Sequence, residues 1–436
     1  MQELAVEREI GIETFFSQKP GIKGILRSRP ADFRVIEIAK DFSEKEKGKF
    51  TIAKITAENW ETNHLISVLS RRLHVSRKRI SFAGTKDKRS ISTQFFSFYR
   101  LQPQKIRDLQ IKDVCIEEVF CSDESLHIGD LIGNSFHIII RNLDSSVDTS
   151  RFTYAFEPFE KWRGFPNFFG VQRFGIVRPI THVVGKWLVK GDFKKAVLTY
   201  LTELFDGEEK DSFKSRKNLA ETLDFQQALI DFPDHLQFEK AMLNHLVVHP
   251  TDYIGALKQL PNNLITMFVY AYQSYLFNKI LSKRIQNNLP LHHAVEGDII
   301  LPVRKDVIKN EYIPVTGNNI EKVNRQLDKR KGFVSGILVG SDTIFSNGIM
   351  GEIEHKIIEK EHIDYRDFSI PELPVASSYG TRRAIFAPLD NLSFSLIDDA
   401  LYENKKAAEI SFQLLKGCYA TSFLREIMKA DEITNY

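Results

Sequence analysis

Strand-like segments stand at both ends of this chain, with a long helix-like stretch between them. Residues 32–38 read as a strand with Phe33 and Val35 on one face and Arg34 on the other. Residues 80–83 and 91–99 read as two more. In 135–141, Phe136, Ile138 and Ile140 alternate with His137, Ile139 and Arg141, the pattern of a strand with at least one buried face. Alternating strands resume at 392–396 and 410–415. Between them, from Ile180 to about Asn287, the apolar spacing is helical: Val183, Trp187 and Leu188 fit one helix, and Phe193, Val197 and Leu201 the next. A long apolar helix is expected over 264–284, and short strand-like pieces at 298–301 and 336–339 lie between glycines. Strands split in this way predict an α+β chain in which one domain is interrupted by another, mostly helical one. The expected boundaries are 1–165 and 383–436 for the two parts of the outer domain, and 166–382 for the insertion.

The densest chemistry lies in the first strand-rich part. Phe82-Ala-Gly84-Thr-Lys86-Asp87-Lys88-Arg89-Ser90 places one carboxylate among cations, just after a glycine at a strand end. Between Arg71 and Arg89 there are eight basic residues (Arg71, Arg72, Arg77, Lys78, Arg79, Lys86, Lys88 and Arg89) and one acid, Asp87. Nearby positive charge favours the charged form of a carboxyl group, and such a cluster attracts a polyanion. Asp87 therefore reads either as a nucleophile serving a polyanionic substrate or as an acid that pairs with its basic neighbours. A Walker loop requires a different glycine–lysine spacing, and a guanine-reading loop needs a residue between Lys86 and Asp87, so neither phosphate-binding motif is present.

Composition adds bounds. The 436 residues suggest roughly three domains. Sixty Lys and Arg against 57 Asp and Glu leave a net charge of only +3, so polyanion binding must rest on local clusters. Three cysteines predict a reducing, cytoplasmic location, and Cys115 and Cys121 are expected to be small buried thiols rather than zinc ligands. No HExxH or repeated histidine spacing suggests a metal. Glu3, Glu7, Arg8 and Glu9 do not form a signal peptide, and no apolar run approaches the length of a membrane span.

Two further stretches stand out. Gly164-Phe-Pro-Asn167-Phe-Phe169-Gly-Val-Gln172-Arg173-Phe-Gly175 gathers aromatics, glycines, an amide and a guanidinium. It reads either as a nucleotide-facing loop, with an aromatic face to stack on a base, or as a loop anchored by aromatics on the core. Gly417-Cys-Tyr-Ala-Thr421-Ser422-Phe-Leu-Arg425-Glu426 reads as a strand-to-helix junction capped by Thr421 or Ser422, with a surface ion pair at Arg425. Earlier, Thr62 and Asn63 are placed to cap a helix carrying Leu65, Val68, Leu69 and Leu73.

These stretches, in this order, resemble the TruD family of pseudouridine synthases. The likeness rests on Phe82 to Arg89 with Thr93-Gln94, on Gly133-Asn134-Ser-Phe136, on Pro166 to Gly175, and on Gly417 to Thr421 with Arg425-Glu426. Pro30-Ala-Asp32-Phe33-Arg-Val35-Ile-Glu37 is similar to the family's opening, and Tyr272-Gln273-Ser274-Tyr-Leu-Phe277-Asn278 to the central helix of its inserted domain. The resemblance implies a pseudouridine-synthase fold: a mixed, largely antiparallel sheet with flanking helices, plus an inserted, mostly helical TRUD domain. It implies isomerisation of uridine to pseudouridine in tRNA, at uridine 13 of the D arm, without a cofactor and with no protein partner. It makes Asp87 the nucleophile, attacking C6 of uracil or C1′ of ribose. Phe169 matches the residue that packs on the uracil, and Asn167 the one that holds the loop or contacts the nucleotide. Phe169 cannot accept the C5 proton, so another group or solvent must. Arg27 is a candidate partner of Asp87, Lys86 and Arg173 are substrate-binding candidates, and the 71–89 cluster becomes a phosphate track. Ser90 stands where a small residue, often alanine, is expected. The longer insertion, with extra material around 290–370, is similar to archaeal or eukaryotic members. A noncatalytic RNA-binding or RNA-chaperone protein using the same basic surface is the alternative.

Overall fold

The computed structural model describes residues 4–304, 307–432 and 435. The chain forms two compact units, one of Ser17–Phe165 with Ala387–Tyr436, the other of Met1–Phe16 with Pro166–Phe386.

The first, the sheet unit, is built on eight strands. Their order across the sheet is Asp390–Asp398, Lys406–Leu415, Leu131–Ile140, Phe33–Ala39, Ile91–Tyr99, Phe50–Glu58 and Val114–Ser122, with the short Ile80–Phe82 also paired to Ile91–Tyr99. Phe33–Ala39 and Ile91–Tyr99 run parallel over a short register, Arg34 opposite Ile91. The other neighbours are antiparallel. Of the two strands after the long insertion, Lys406–Leu415 docks directly on Leu131–Ile140, Phe412 opposite Phe136. Their rings stack at 5.1 Å and 21°, and Phe136 meets Phe33 edge-on at 6.2 Å. The two sequence-distant pieces thus close over one aromatic core.

An ion-pair clamp joins the same pieces. Arg141, 2% exposed, donates from Nε to Asp32 Oδ2 at 2.9 Å and from Nη2 to Oδ1 at 2.6 Å. Its Nη1 reaches Asp399 Oδ1 at 2.9 Å. Burial pushes both carboxyls up, but the hydrogen bonds outweigh it and hold them below their ordinary range: Arg141 and Arg29 on Asp32, the Asn142 and Leu401 amides and Arg141 on Asp399.

The second, the helical unit, is organised around Asn262–Gln286, whose residues are buried on nearly every side. That is the pattern of a helix at the centre of its domain. Thr181–Val189 crosses it closely at Gly185, where any Cβ would lie 2.0 Å from Phe268 O. Ile313–Pro314, Ile299–Arg304, Gly332–Leu338 and Thr381–Ala384 form a small antiparallel sheet in that order, with Val307–Ile308 added at Ile299–Arg304.

The unit boundaries differ from the sequence expectation at two places. The first sixteen residues group with the helical unit rather than with 17–165. Ile10 and Ile12 are buried there beside Phe168, Phe277 and Leu281. Asn278 Nδ2 donates to Ile10 O at 3.0 Å, and Ser282 Oγ to Gly11 O at 3.0 Å. At the far end, residues 383–386 also belong to the helical unit, because Thr381–Ala384 pairs with Gly332–Leu338.

Several local expectations are corrected as well. Glu61, not Thr62 or Asn63, caps Thr62–Arg72, accepting from Asn63 N at 3.0 Å and His64 N at 2.9 Å. Ala420–Met428 has Tyr419 at its N-cap with no side-chain capping bond. The Arg425–Glu426 pair, 2.6 Å, is buried rather than on the surface, because this helix is buried along almost its whole length. Cys115 is exposed and Cys121 half-buried, since both lie on Val114–Ser122, an outermost strand of the sheet. Among the described residues no helix is long and apolar enough to cross a membrane, and no group of three or more His, Cys, Asp or Glu could hold a metal ion.

Candidate active site

The six candidate residues fall three to each unit. Arg27, Lys86 and Asp87 belong to the sheet unit, and Asn167, Phe169 and Arg173 to the helical unit.

Asp87 stands on the connection between Ile80–Phe82 and Ile91–Tyr99, and half of its side chain is exposed. The connection is tied down along its length. Gly129 N donates to Ala83 O at 2.8 Å. Lys86 N donates to Thr62 Oγ1 at 2.8 Å, and Asn59 N to Ser90 O at 2.9 Å. Ser90, 1% exposed, donates its hydroxyl to Asp87 O at 2.7 Å, a bond an alanine there could not make. Gly84 does not shape the loop: its φ is not left-handed, and an added Cβ would meet nothing nearer than 3.9 Å. The backbone and side-chain hydrogen bonds just described shape it instead.

Arg27 does pair with Asp87. Its Nη2 donates to Asp87 Oδ2 at 2.7 Å. The Arg27 backbone takes φ +56°, rarely adopted by residues other than glycine and asparagine. Its guanidinium lies over Phe33, 4.3 Å from the ring centroid, and Nε is buried without a hydrogen-bond partner. The aromatic core of the sheet therefore sets where the guanidinium can be, and the guanidinium aims at the carboxylate.

Lys86 has a different job from the one expected. It is 9% exposed, and its Nζ donates to Glu37 Oε2 at 2.9 Å, the Glu37 side chain being wholly buried. A buried cation paired in this way anchors the loop and is not presented to a substrate. The signal was legible in Phe33-Arg34-Val35-Ile36-Glu37: Glu37 falls in phase with two apolar residues, so it was bound to be buried and to need a cation. The basic cluster thins accordingly. Arg79 is spent on Tyr99 O at 3.0 Å and Arg100 O at 2.7 Å, whereas Arg71, Arg72, Arg77, Lys78, Lys88 and Arg89 are exposed.

In the helical unit, Asn167 is 3% exposed and is engaged at its backbone N and at both side-chain polar atoms. Its N donates to Ile385 O and its Nδ2 to Ala384 O, each at 2.9 Å, and its Oδ1 accepts from Arg383 Nη2 at 2.7 Å. Of the two roles the sequence left open, this arrangement is the one that holds the loop. Phe169, 5% exposed, is clamped through its backbone by Asn278, which accepts from Phe169 N and donates to Phe169 O, each at 2.9 Å. Phe277 meets its ring edge-on at 5.5 Å. Arg173 lies 5.8 Å from the Phe169 centroid and donates from Nε to Ser274 Oγ at 3.2 Å. Arg383, which sequence reasoning missed, places its guanidinium 4.2 Å from the Phe169 centroid while bonding Asn167. Nothing in Thr381-Arg-Arg-Ala384 marked it in advance. Asn278 was marked, as the last residue of the quoted central-helix motif.

The chain matches the family model of tRNA pseudouridine synthase D (TruD) over residues 9–427. A relative from Methanosarcina barkeri, described as a tRNA pseudouridine synthase D, is 41% identical over 443 residues, spanning 99% of both chains. One from Methanococcoides burtonii with the same description is 41% identical over 98% of both. A crystal structure from Methanosarcina mazei, described as tRNA pseudouridine synthase D (TruD), superposes with a TM-score of 0.90 at 39% identity and covers all of both chains. With matches of this length and identity, the chain belongs to the tRNA pseudouridine synthase D (TruD) family.

Proposed function

We propose that this protein converts uridine to pseudouridine in tRNA, at uridine 13 of the D arm, with Asp87 as the nucleophile. The observation that carries the reading is the exposed Asp87 carboxylate, held at 2.7 Å by an arginine whose own position is fixed on the Phe33 ring. A carboxylate so oriented can attack carbon without first searching for its geometry. The net change breaks the N1–C1′ bond of uridine, joins C5 to C1′, removes the C5 proton and leaves a proton on N1. Asp87 opens it at C6 of the base or C1′ of the ribose. The atoms balance without an oxidant or an energy source, so no cofactor is called for. The target base must leave its stack to meet the carboxylate, and Phe169, backed by Arg383 and Phe277, is the aromatic residue assigned to pack against it. The exposed cations from Arg71 to Arg89 serve the phosphates. The same reading places the protein in the cytoplasm with tRNA as its partner.

The test is Asp87→Asn. Carbodiimide-based primer extension on treated tRNA should show pseudouridine formation falling by about 10^4-fold or more, with tRNA affinity within severalfold of wild type. An active Asp87→Asn protein would refute the mechanism. A wild-type protein that binds tRNA but makes no pseudouridine would favour the noncatalytic RNA-binding alternative.

A further inference from the structure

Trp60 lies between the two residues from which the Asp87 loop hangs. Asn59 N holds Ser90 O, and Thr62 Oγ1 holds Lys86 N. The indole is half-buried on the core that contains Ala57, Leu65 and Ile80. The imidazole of His64 lies on the indole, nearly parallel, with centroids 5.2 Å apart and planes at 24°. His64 itself is exposed. Glu61, the nearest acid along the chain, is turned into the helix, its carboxylate taken up by Asn63 N, His64 N and Asn63 Nδ2. Along Thr62–Arg72, His64 is followed two turns later on its own face by exposed Arg71 and Arg72, about 10 Å further along the axis. Exposed Arg77 and Lys78 come next.

An exposed planar ring followed by a line of exposed cations matches one chemistry in particular. Unpaired nucleotides offer flat bases that stack on aromatic side chains, histidine included, and phosphates that follow a basic line. A protein partner would be seated on an extended apolar face, which this stripe does not supply, and acidic side chains alone would leave the exposed ring without a counterpart. The helix that carries the stack is bonded to the Asp87 loop through Thr62 Oγ1, which accepts from Lys86 N.

We propose that His64, backed by Trp60, is a stacking site for the base of one unpaired nucleotide next to the target uridine. The inference rests on the pseudouridine-forming reading above. Extruding a uridine breaks its neighbours' stacking, and this site replaces part of what is lost. It makes His64 a specificity-determining residue: a neighbour that stacks well is favoured and one without a base is penalised.

The experiment measures tRNA Kd and single-turnover pseudouridine formation for the wild type, His64→Ala and His64→Tyr. The substrates are intact tRNA and four tRNAs, each abasic at one of the two positions on either side of the target. His64→Ala should weaken binding of intact tRNA about fivefold or more, and His64→Tyr, which keeps a stacking face, should restore most of it. One abasic tRNA should weaken the wild type by a similar factor and weaken His64→Ala no further. A His64→Ala protein equal to wild type, or an Ala defect that persists in full on all four abasic tRNAs, overturns the proposal. Both results require a wild type that forms pseudouridine. A wild type that forms none overturns the parent reading instead, so the two failures are distinguishable.

Discussion

In the sheet unit the candidate acid is half-exposed, and ion pairs reinforce its loop, Lys86 to buried Glu37 and Arg27 to Asp87 itself, while Arg141 clamps two carboxylates elsewhere in the unit. In the helical unit the candidate aromatic, Phe169, is 5% exposed and held by neutral amides, those of Asn278 and Asn167. Under the proposed function, the difference follows from what each group is asked to do. A nucleophile must reach solvent-borne substrate yet stay oriented, which favours long charged anchors rooted below it. A stacking face must stay flat and still, which favours short amides in a packed core.

The largest effect that would break this comparison is at Arg141. Arg141→Met leaves Asp32 and Asp399 buried without their cation, and removing one partner of a buried pair costs about 3–5 kcal/mol. Denaturant unfolding followed by hydrogen exchange should localise the loss to the sheet unit. A loss below 1 kcal/mol would mean the clamp is incidental.

Acid should separate the units next. Burial pushes His182 down to about 4, and its ring lies on Tyr275 with Nδ1 unpartnered. In the unfolded chain a histidine takes its proton near 6.5, so between 6.5 and 4 the unfolded form binds more protons and the helical unit loses stability as pH falls. The loss approaches about 3 kcal/mol near pH 4. Asp32 and Asp399 are held below their ordinary range, so their contribution is full above about 4 and disappears only beneath it. At pH 4.5 hydrogen exchange should therefore rise in the helical unit first. His182→Phe should remove that slope; an unchanged slope would show that other groups set it.

The smallest effect sharpens the contrast. Asn278→Ala removes the paired bonds to the Phe169 backbone and should cost about 1–3 kcal/mol. Amides around 168–170 should lose exchange protection while those of the Asp87 loop keep theirs. Equal loosening of both loops would contradict separate anchoring.

What the sequence disclosed was local or periodic. The alternation in 32–38 and 135–141, the helical spacing of the middle and the acid among cations at Asp87 each needed only neighbouring residues. What it concealed depended on distant partners. Lys86 and Arg79 look like free cations until Glu37 and the Tyr99 carbonyl are placed beside them. Residues 1–16 read as part of the first domain until Asn278 and Ser282, more than 260 positions away, accept or donate to their backbone. Gly84 seemed to shape the loop, yet Thr62, Asn59 and Ser90 do. Arg383 carries no pattern at all; only the fold brings it to Phe169.

The strand Lys406–Leu415 is the last strand made and sits near the middle of the work: Phe412 stacks on Phe136, Phe136 meets Phe33 edge-on, and Phe33 carries Arg27. On the ribosome, at about 5–20 residues per second, the roughly 220 residues of Pro166–Phe386 take some 10 to 45 s to pass before that strand exists. Throughout that interval the Phe33 ring beneath Arg27 and the Phe136 ring beside it lack their third member, and a chain stopped before Phe412 holds Arg27 on an unfinished core.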